Sequence, residues 1–227
     1  MVQAILFDID GTLIRTGGAG VAAFARASAL AFGKPGGTRD LVFHGRTDTG
    51  LVREFLRLHG FSEGAANVRR FLDTYLFLLS DQLDRHHGEI CPGVLEFMAG
   101  LESLPEPPLL GLLTGNVRLG AELKLRAHGL WEWFEVGGFG DDHEDRDRIA
   151  GIAKRRVERR LGRALAGRDV VVVGDTPLDV RCARAIGARC LAVATGGVPA
   201  SELASHAPDW LVADLGGFSP ATFCTRQ

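Results

Sequence analysis

The feature that most constrains this chain is a set of short, uninterrupted apolar runs that each stop at Gly, Asp or Thr. They are Ala4–Phe7, Leu109–Leu113, residues 170–173 and residues 190–194, with weaker runs at 134–136 and Trp210–Val212. A strand that is apolar on every residue has no wet face, so it belongs inside a sheet covered on both sides. Between the runs lie helical stretches at 93–104, 117–128, 149–161 and 178–186. Strands alternating with helices of this length predict an α/β fold with a doubly wound, mostly parallel, Rossmann-like sheet.

One stretch breaks the alternation. From about Thr16 to His87 no buried strand can be read, and helical patterns fall near 21–32, 49–59 and Ala65–Arg85, separated by turns such as Gly36-Gly37 and Gly60. The simplest organisation is an α/β core made of residues 1–15 and 88–227, with residues 16–87 inserted as a helical module. Gly137-Gly138 and Gly196-Gly197 read as loops at strand ends.

In open parallel sheets, ligands bind beyond the carboxyl ends of the strands. The residues that follow each run are therefore the candidate site. They are Asp8-Ile9-Asp10-Gly11-Thr12, then Thr114-Gly115-Asn116, then a polar stretch with Asp141, Asp142, Arg146 and Arg148, then Gly174-Asp175-Thr176-Pro177-Leu178-Asp179. Four carboxylates, Asp8, Asp10, Asp175 and Asp179, gather at one edge. Crowded carboxylates repel unless a cation joins them, and an all-oxygen donor set points to a hard ion, Mg²⁺ being the usual one with phosphate substrates. A carboxylate is also a competent nucleophile towards phosphorus, and a second carboxyl two residues on can serve as general acid and then base.

Composition narrows the partners. The formal net charge of −2 gives no general attraction to nucleic acid or anionic membrane, and Lys154-Arg155-Arg156 reads as the wet face of a helix. No apolar stretch approaches the ~20 residues that span a bilayer. The first residues lack a charged n-region and meet Asp8 almost at once, so no signal peptide is expected. Cys91, Cys182, Cys190 and Cys224 have no metal or disulfide spacing and suit buried thiols in a reducing compartment, so a cytoplasmic location is expected.

The order Asp8-x-Asp10-Gly11-Thr12, Thr114 after a buried strand, and Gly174-Asp175-x-x-x-Asp179 closely resembles the haloacid dehalogenase superfamily of phosphohydrolases. Gly45-Arg46-Thr47-Asp48 and Leu113-Thr114-Gly115-Asn116 look most like its phosphoglycolate-phosphatase-type members, and the insertion sits where members with a helical cap carry it. The resemblance implies a phosphoric monoester hydrolase acting on a small phosphorylated metabolite through an aspartyl-phosphate. Asp8 would be nucleophile and Mg²⁺ ligand. Asp10 would be the acid/base and offer its backbone carbonyl to the metal. Thr114, with Gly115 and Asn116 beside it, would bind the phosphoryl group, Asp175 would ligate Mg²⁺, and Asp179 would support the site from behind. Related phosphatases carry a Lys before the helix after the third strand. Here no Lys occurs between Lys124 and Lys154, and Arg146 aligns there, with Arg148 the second choice. Arg46, on the inserted segment, is expected to be free to point inward at a second anion of the substrate, with Asp48 capping the helix that follows.

Other patterns carry less. Gly18-Ala19-Gly20-Val21-Ala22-Ala23 matches a relaxed dinucleotide fingerprint, but ten residues separate it from the first strand, so it reads as a hinge. His86-His87 reads as solvated, consecutive His143-Glu144-Asp145 side chains diverge, and Trp131 and Trp133 are expected to pack at a helix end. No P-loop or GxSxG motif occurs. A dehalogenase or phosphonatase would leave Asp10 idle. A phosphomutase, and a non-catalytic module that keeps the fold, remain as alternatives.

Overall fold

The computed structural model describes residues 2–224, and the side chain of Cys224 lies outside what is described. Six parallel strands form one sheet: β1 (Ala4–Phe7), β4 (Leu109–Leu113), β5 (Val136–Gly138), β6 (Val170–Gly174), β7 (Arg189–Val193) and β8 (Trp210–Val212), in the order β5-β4-β1-β6-β7-β8. β1 is central, with Ala4–Phe7 aligned on Leu109, Leu110, Gly111 and Leu112 on one side and on Val170, Val171, Val172 and Val173 on the other. Side chains alternate across a strand. Ile5, Phe7, Leu110, Leu112, Val171 and Val173 pack on one face with helices α4 (Val94–Glu102) and α5 (Arg118–Arg126), whereas Ala4, Leu6, Val170 and Val172 face α6 (Arg146–Leu161) and α7 (Pro177–Ala185). Both faces are covered, which is why these strands tolerate no polar residue.

Two boundaries differ from the sequence reading. The weak strand expected at 134–136 runs instead over Val136–Gly138, so Gly137 and Gly138 are paired strand residues and not a loop. Their missing side chains let α6 approach: a Cβ on Gly138 would stand 2.8 Å from Ile149 and 3.0 Å from Ala153. The α6 helix starts at Arg146, three residues earlier than its apolar pattern, because Asp145 caps it by accepting the Asp147 N–H at 2.9 Å.

The inserted segment folds as α1 (Ala19–Phe32), α2 (Asp48–Leu58) and α3 (Ala65–Arg85). Two chain passages join it to the sheet, and they pair as a short antiparallel ladder of β2 (Ile14–Arg15) and β3 (Glu89–Ile90), which the sequence did not suggest. The three helices share an aromatic core in which the Phe71 ring lies 4.5 Å from Phe24 and 5.0 Å from Phe55. α2 is capped by Thr47, whose hydroxyl accepts the Gly50 N–H at 3.2 Å; Asp48 is the first helical residue and does not cap it. His86 is also less free than expected, since its Nδ1 lies 2.9 Å from the Gly17 carbonyl.

Phe71 is fully buried where the three helices meet. Phe71→Ala should therefore destabilise the protein by about 3–5 kcal/mol. Urea unfolding followed by far-UV circular dichroism checks this, and a loss under 1 kcal/mol would show that the helices are held by the core domain and not by their own packing.

Candidate active site

The site is built on the carboxyl edge of β1, β4 and β6. Asp8 follows β1, and its N–H continues the ladder to the Val173 carbonyl at 2.9 Å. The chain then turns through Gly11, whose φ of +87° and whose missing Cβ both matter: an added Cβ would lie 2.5 Å from Asp175 Oδ2. Thr12 donates to Asp175 Oδ1 at 3.1 Å. Asp179, in the first turn of α7, accepts from the Thr176 N–H at 3.0 Å and from its hydroxyl at 2.7 Å, with Pro177 at the first helical position.

Asp8, Asp175 and Asp179 are all buried, and one oxygen from each lies within 4.8 Å of the others. Such proximity disfavours full ionisation. Desolvation is the largest influence on Asp8 and lifts its pKa to about 7, with Asp179 and Asp10 adding to the rise and Arg146 opposing it. Desolvation, Asp8 and Asp179 also push Asp175 well above the ordinary carboxylate range. This trio fits a divalent cation, because an all-oxygen, anion-crowded, buried set gains most from one. Both Asp179 oxygens already hold partners, Thr176 and the Arg146 guanidinium.

Arg146 enters from the start of α6 and is buried. Its guanidinium forms a close ion pair with Asp179, approaches Asp8 Oδ1 at 3.6 Å, and donates to the Gly45 carbonyl at 3.2 Å; its Nε has no partner among the described residues. Burial works against its charge, but Asp179 and Asp8 outweigh that and raise its pKa. Arg148 is exposed on the outer face of α6. The rest of the polar stretch turns elsewhere: Asp141 accepts the Arg118 N–H at 3.0 Å and Asp142 pairs with Arg156 at 2.6 Å.

A second polar cluster lies beside the first. Asp10 accepts two hydrogen bonds from Lys124 Nζ, at 2.9 and 2.7 Å, and one from Asn116 Nδ2 at 2.8 Å. Lys124 also donates to Asn116 Oδ1 at 2.6 Å, and Asn116 donates to Thr114 Oγ1 at 2.9 Å. Desolvation raises the Asp10 pKa, but the Lys124 charge and these hydrogen bonds override it and hold the carboxyl below its ordinary value. Thr114 Oγ1 accepts from Asn116 twice, which leaves its own proton to donate. Gly115 lends its carbonyl to the Asp48 N–H at 2.8 Å, and with no Cβ it lets the Arg46 backbone pack against it.

Lys124 was missed by sequence reasoning. One signal was available: it occupies the buried stripe of α5 with Gly120, Ala121 and Leu125, where a lysine needs an anion within reach. Arg46 departs from expectation in the other direction. It lies at the cavity wall, and its guanidinium pairs with Glu54 Oε2 at 2.6 Å on α2. The cavity between the helical segment and the sheet edge measures about 140 Å³.

A family model for the haloacid dehalogenase-like hydrolases matches residues 2–187, and the chain belongs to that family. It is a phosphoric monoester hydrolase. It is 32% identical over 214 residues to a phosphoglycolate phosphatase of Synechococcus elongatus, covering 93% of this chain and 92% of the relative. Its fold is similar to that of CbbY from Rhodobacter sphaeroides, solved with phosphate (TM-score 0.73, 21% identity, 96% of each chain). It is also similar to a predicted phosphoglycolate phosphatase from Haemophilus somnus (TM-score 0.70, 18% identity, 95% of each chain).

The crowded carboxylates predict a linkage between metal and pH. Above the ordinary value of 3.8 an unfolded Asp8 has lost its proton, whereas the folded one keeps it up to about 7. The metal-free folded state thus binds more protons across that window, and its stability falls as pH rises from about 4 to 7. A divalent cation held by these carboxylates would replace the proton, so the gain in Tm from an added divalent cation such as Mg²⁺ should be small at pH 5 and larger at pH 8. Calorimetry at both pH values checks it; an equal gain at both would show that the cation does not compete with these protons.

Proposed function

We propose that the chain is a Mg²⁺-dependent phosphatase that hydrolyses a small, phosphoglycolate-like phosphomonoester through an aspartyl-phosphate on Asp8. The observation that carries this reading is the pairing of two differently treated carboxyls at one cavity: Asp8 among buried anions beside Arg146, and Asp10 two residues on, held by Lys124 and Asn116. Separate environments suit separate chemical duties.

Asp8 attacks phosphorus and takes the phosphoryl group as the bond to the leaving oxygen breaks. Asp10 supplies the proton to that oxygen. In the empty site Lys124 keeps Asp10 ionised; an arriving phosphoryl dianion is a like charge and raises its affinity for a proton. Once deprotonated, Asp10 takes a proton from the water that cleaves the aspartyl-phosphate. Thr114 and Arg146 orient the phosphoryl oxygens, and Asn116 fixes Thr114 and Asp10 together. Asp8, Asp175 and the Asp10 main-chain carbonyl would hold Mg²⁺, which would offset the charge shared by carboxylates and phosphate.

Residues 16–87 serve as a cap over the core of 1–15 and 88–227, excluding water from the cavity. The complete set of acidic and cationic groups argues against a non-catalytic module. The free, buried thiols Cys91, Cys182 and Cys190 fit a reducing compartment such as the cytoplasm, and among the described residues no helix is long and apolar enough to cross a membrane.

Asp8→Asn should abolish turnover without unfolding the protein, because an amide cannot attack phosphorus, and excess chelator should silence the wild type until Mg²⁺ is restored. Full activity in either condition would remove the mechanism. Asp10→Asn should slow alkyl phosphates about 10²–10⁴-fold while slowing aryl phosphates with good leaving groups much less. Equal slowing of both classes would show that Asp10 is not the acid.

A further inference from the structure

Arg46 is paired with Glu54, and other groups line the same cavity. The cavity that Asp8 lines is also lined by the first turn of α1, at Gly20 and Val21, and by Tyr75 from α3. Helix α1 starts without a side-chain cap, at a left-handed Gly18, and has no acidic residue in its first turn. The Gly20 and Val21 N–H groups find no backbone or side-chain acceptor among the described residues, whereas Ala19 and Ala22 bond to Thr16 and Gly18. A second observation is independent of the helix. Tyr75, the chain's only tyrosine, is 2% exposed, yet its hydroxyl has no hydrogen-bond partner among the described residues and borders this same cavity. A methyl group built on Gly20 would stand 3.9 Å from Tyr75 Oη and 3.5 Å from Lys124 Nζ. Three unsatisfied donors and an ammonium group therefore surround one small space, and the α1 dipole points its positive end there.

We propose that the first turn of α1 and the Tyr75 hydroxyl form a carboxylate subsite, which receives the anionic end of the leaving group while Asp8 takes the phosphoryl group. The inference rests on the phosphatase reading above and names the substrate class within it: a phosphate ester of a small hydroxy acid. Burial, with Asp48 and Asp10 adding to it, holds the Tyr75 phenol protonated, so it remains a donor. Of the nearby carboxyls that oppose an anion, Asp10 is matched by Lys124, and Asp48 is pushed up to about 6 by burial and held by the Val117 N–H at 2.9 Å. The absence of a side chain at Gly20 is what keeps the space open.

The test compares kcat/KM for phosphoglycolate and for ethyl phosphate, which matches it in size but lacks the carboxylate. Wild type should prefer phosphoglycolate. Tyr75→Phe removes one oxygen and should reduce that preference by about tenfold or more. Gly20→Ala has no backbone strain and only ordinary contacts to make, so its Tm should equal or exceed that of wild type while the preference falls. A merely structural role for either residue would lower Tm and both rates together, and that parallel loss would overturn the subsite. So would a wild type that hydrolyses both esters equally, which leaves the phosphatase reading standing. If wild type with Mg²⁺ hydrolyses no phosphomonoester, the phosphatase reading itself fails and the subsite goes with it.

Discussion

Everything at this site follows from holding three buried carboxylates within 4.8 Å of one another. At that spacing each ionised pair repels by roughly 3–4 kcal/mol at an effective dielectric near 20. The fold contains the repulsion with one buried cation, Arg146, and with Thr12 and Thr176 donating into the cluster. That solution is incomplete, as the raised Asp8 and Asp175 pKa values register, and the remaining anionic excess is what makes the cluster receptive to a divalent cation. A cluster satisfied by the protein alone would have no such capacity.

The second network has the opposite character. Lys124, Asp10, Asn116 and Thr114 complete one another's hydrogen bonds, so these side chains are fixed before a substrate arrives. The helical segment is tied to this network and to the loops around it. The Asp48 N–H meets the Gly115 carbonyl, the Asp48 carboxyl meets the Val117 N–H, and Thr49 donates to the Gly140 carbonyl at 2.7 Å. These bonds orient α2 over the cavity and explain why its first residue is buried although it is an aspartate.

Much of this arrangement was legible along the chain. The central strands Ala4–Phe7 and Leu109–Leu113 and the helix Ala65–Arg85 fall where the sequence pattern puts them, because burial on both faces or on one stripe leaves a clear apolar record. Strand β5 was harder: Gly137 and Gly138 write no side-chain pattern, and they are strand residues because α6 needs their empty space. The β2–β3 ladder was invisible, since two residues on each side carry no periodicity.

The chain order alone determined that Asp8, Asp10, Thr114, Arg146, Asp175 and Asp179 follow successive strands, and parallel strands must deliver such residues to one edge. Which cation serves which anion was decided only by the tertiary structure. Lys124 reaches Asp10 from the buried side of α5, Arg146 rather than exposed Arg148 reaches Asp8, and Arg46 pairs with Glu54. Long cationic side chains have several anions within reach, and their partners are chosen by burial and packing between elements distant in sequence. No local pattern records that choice.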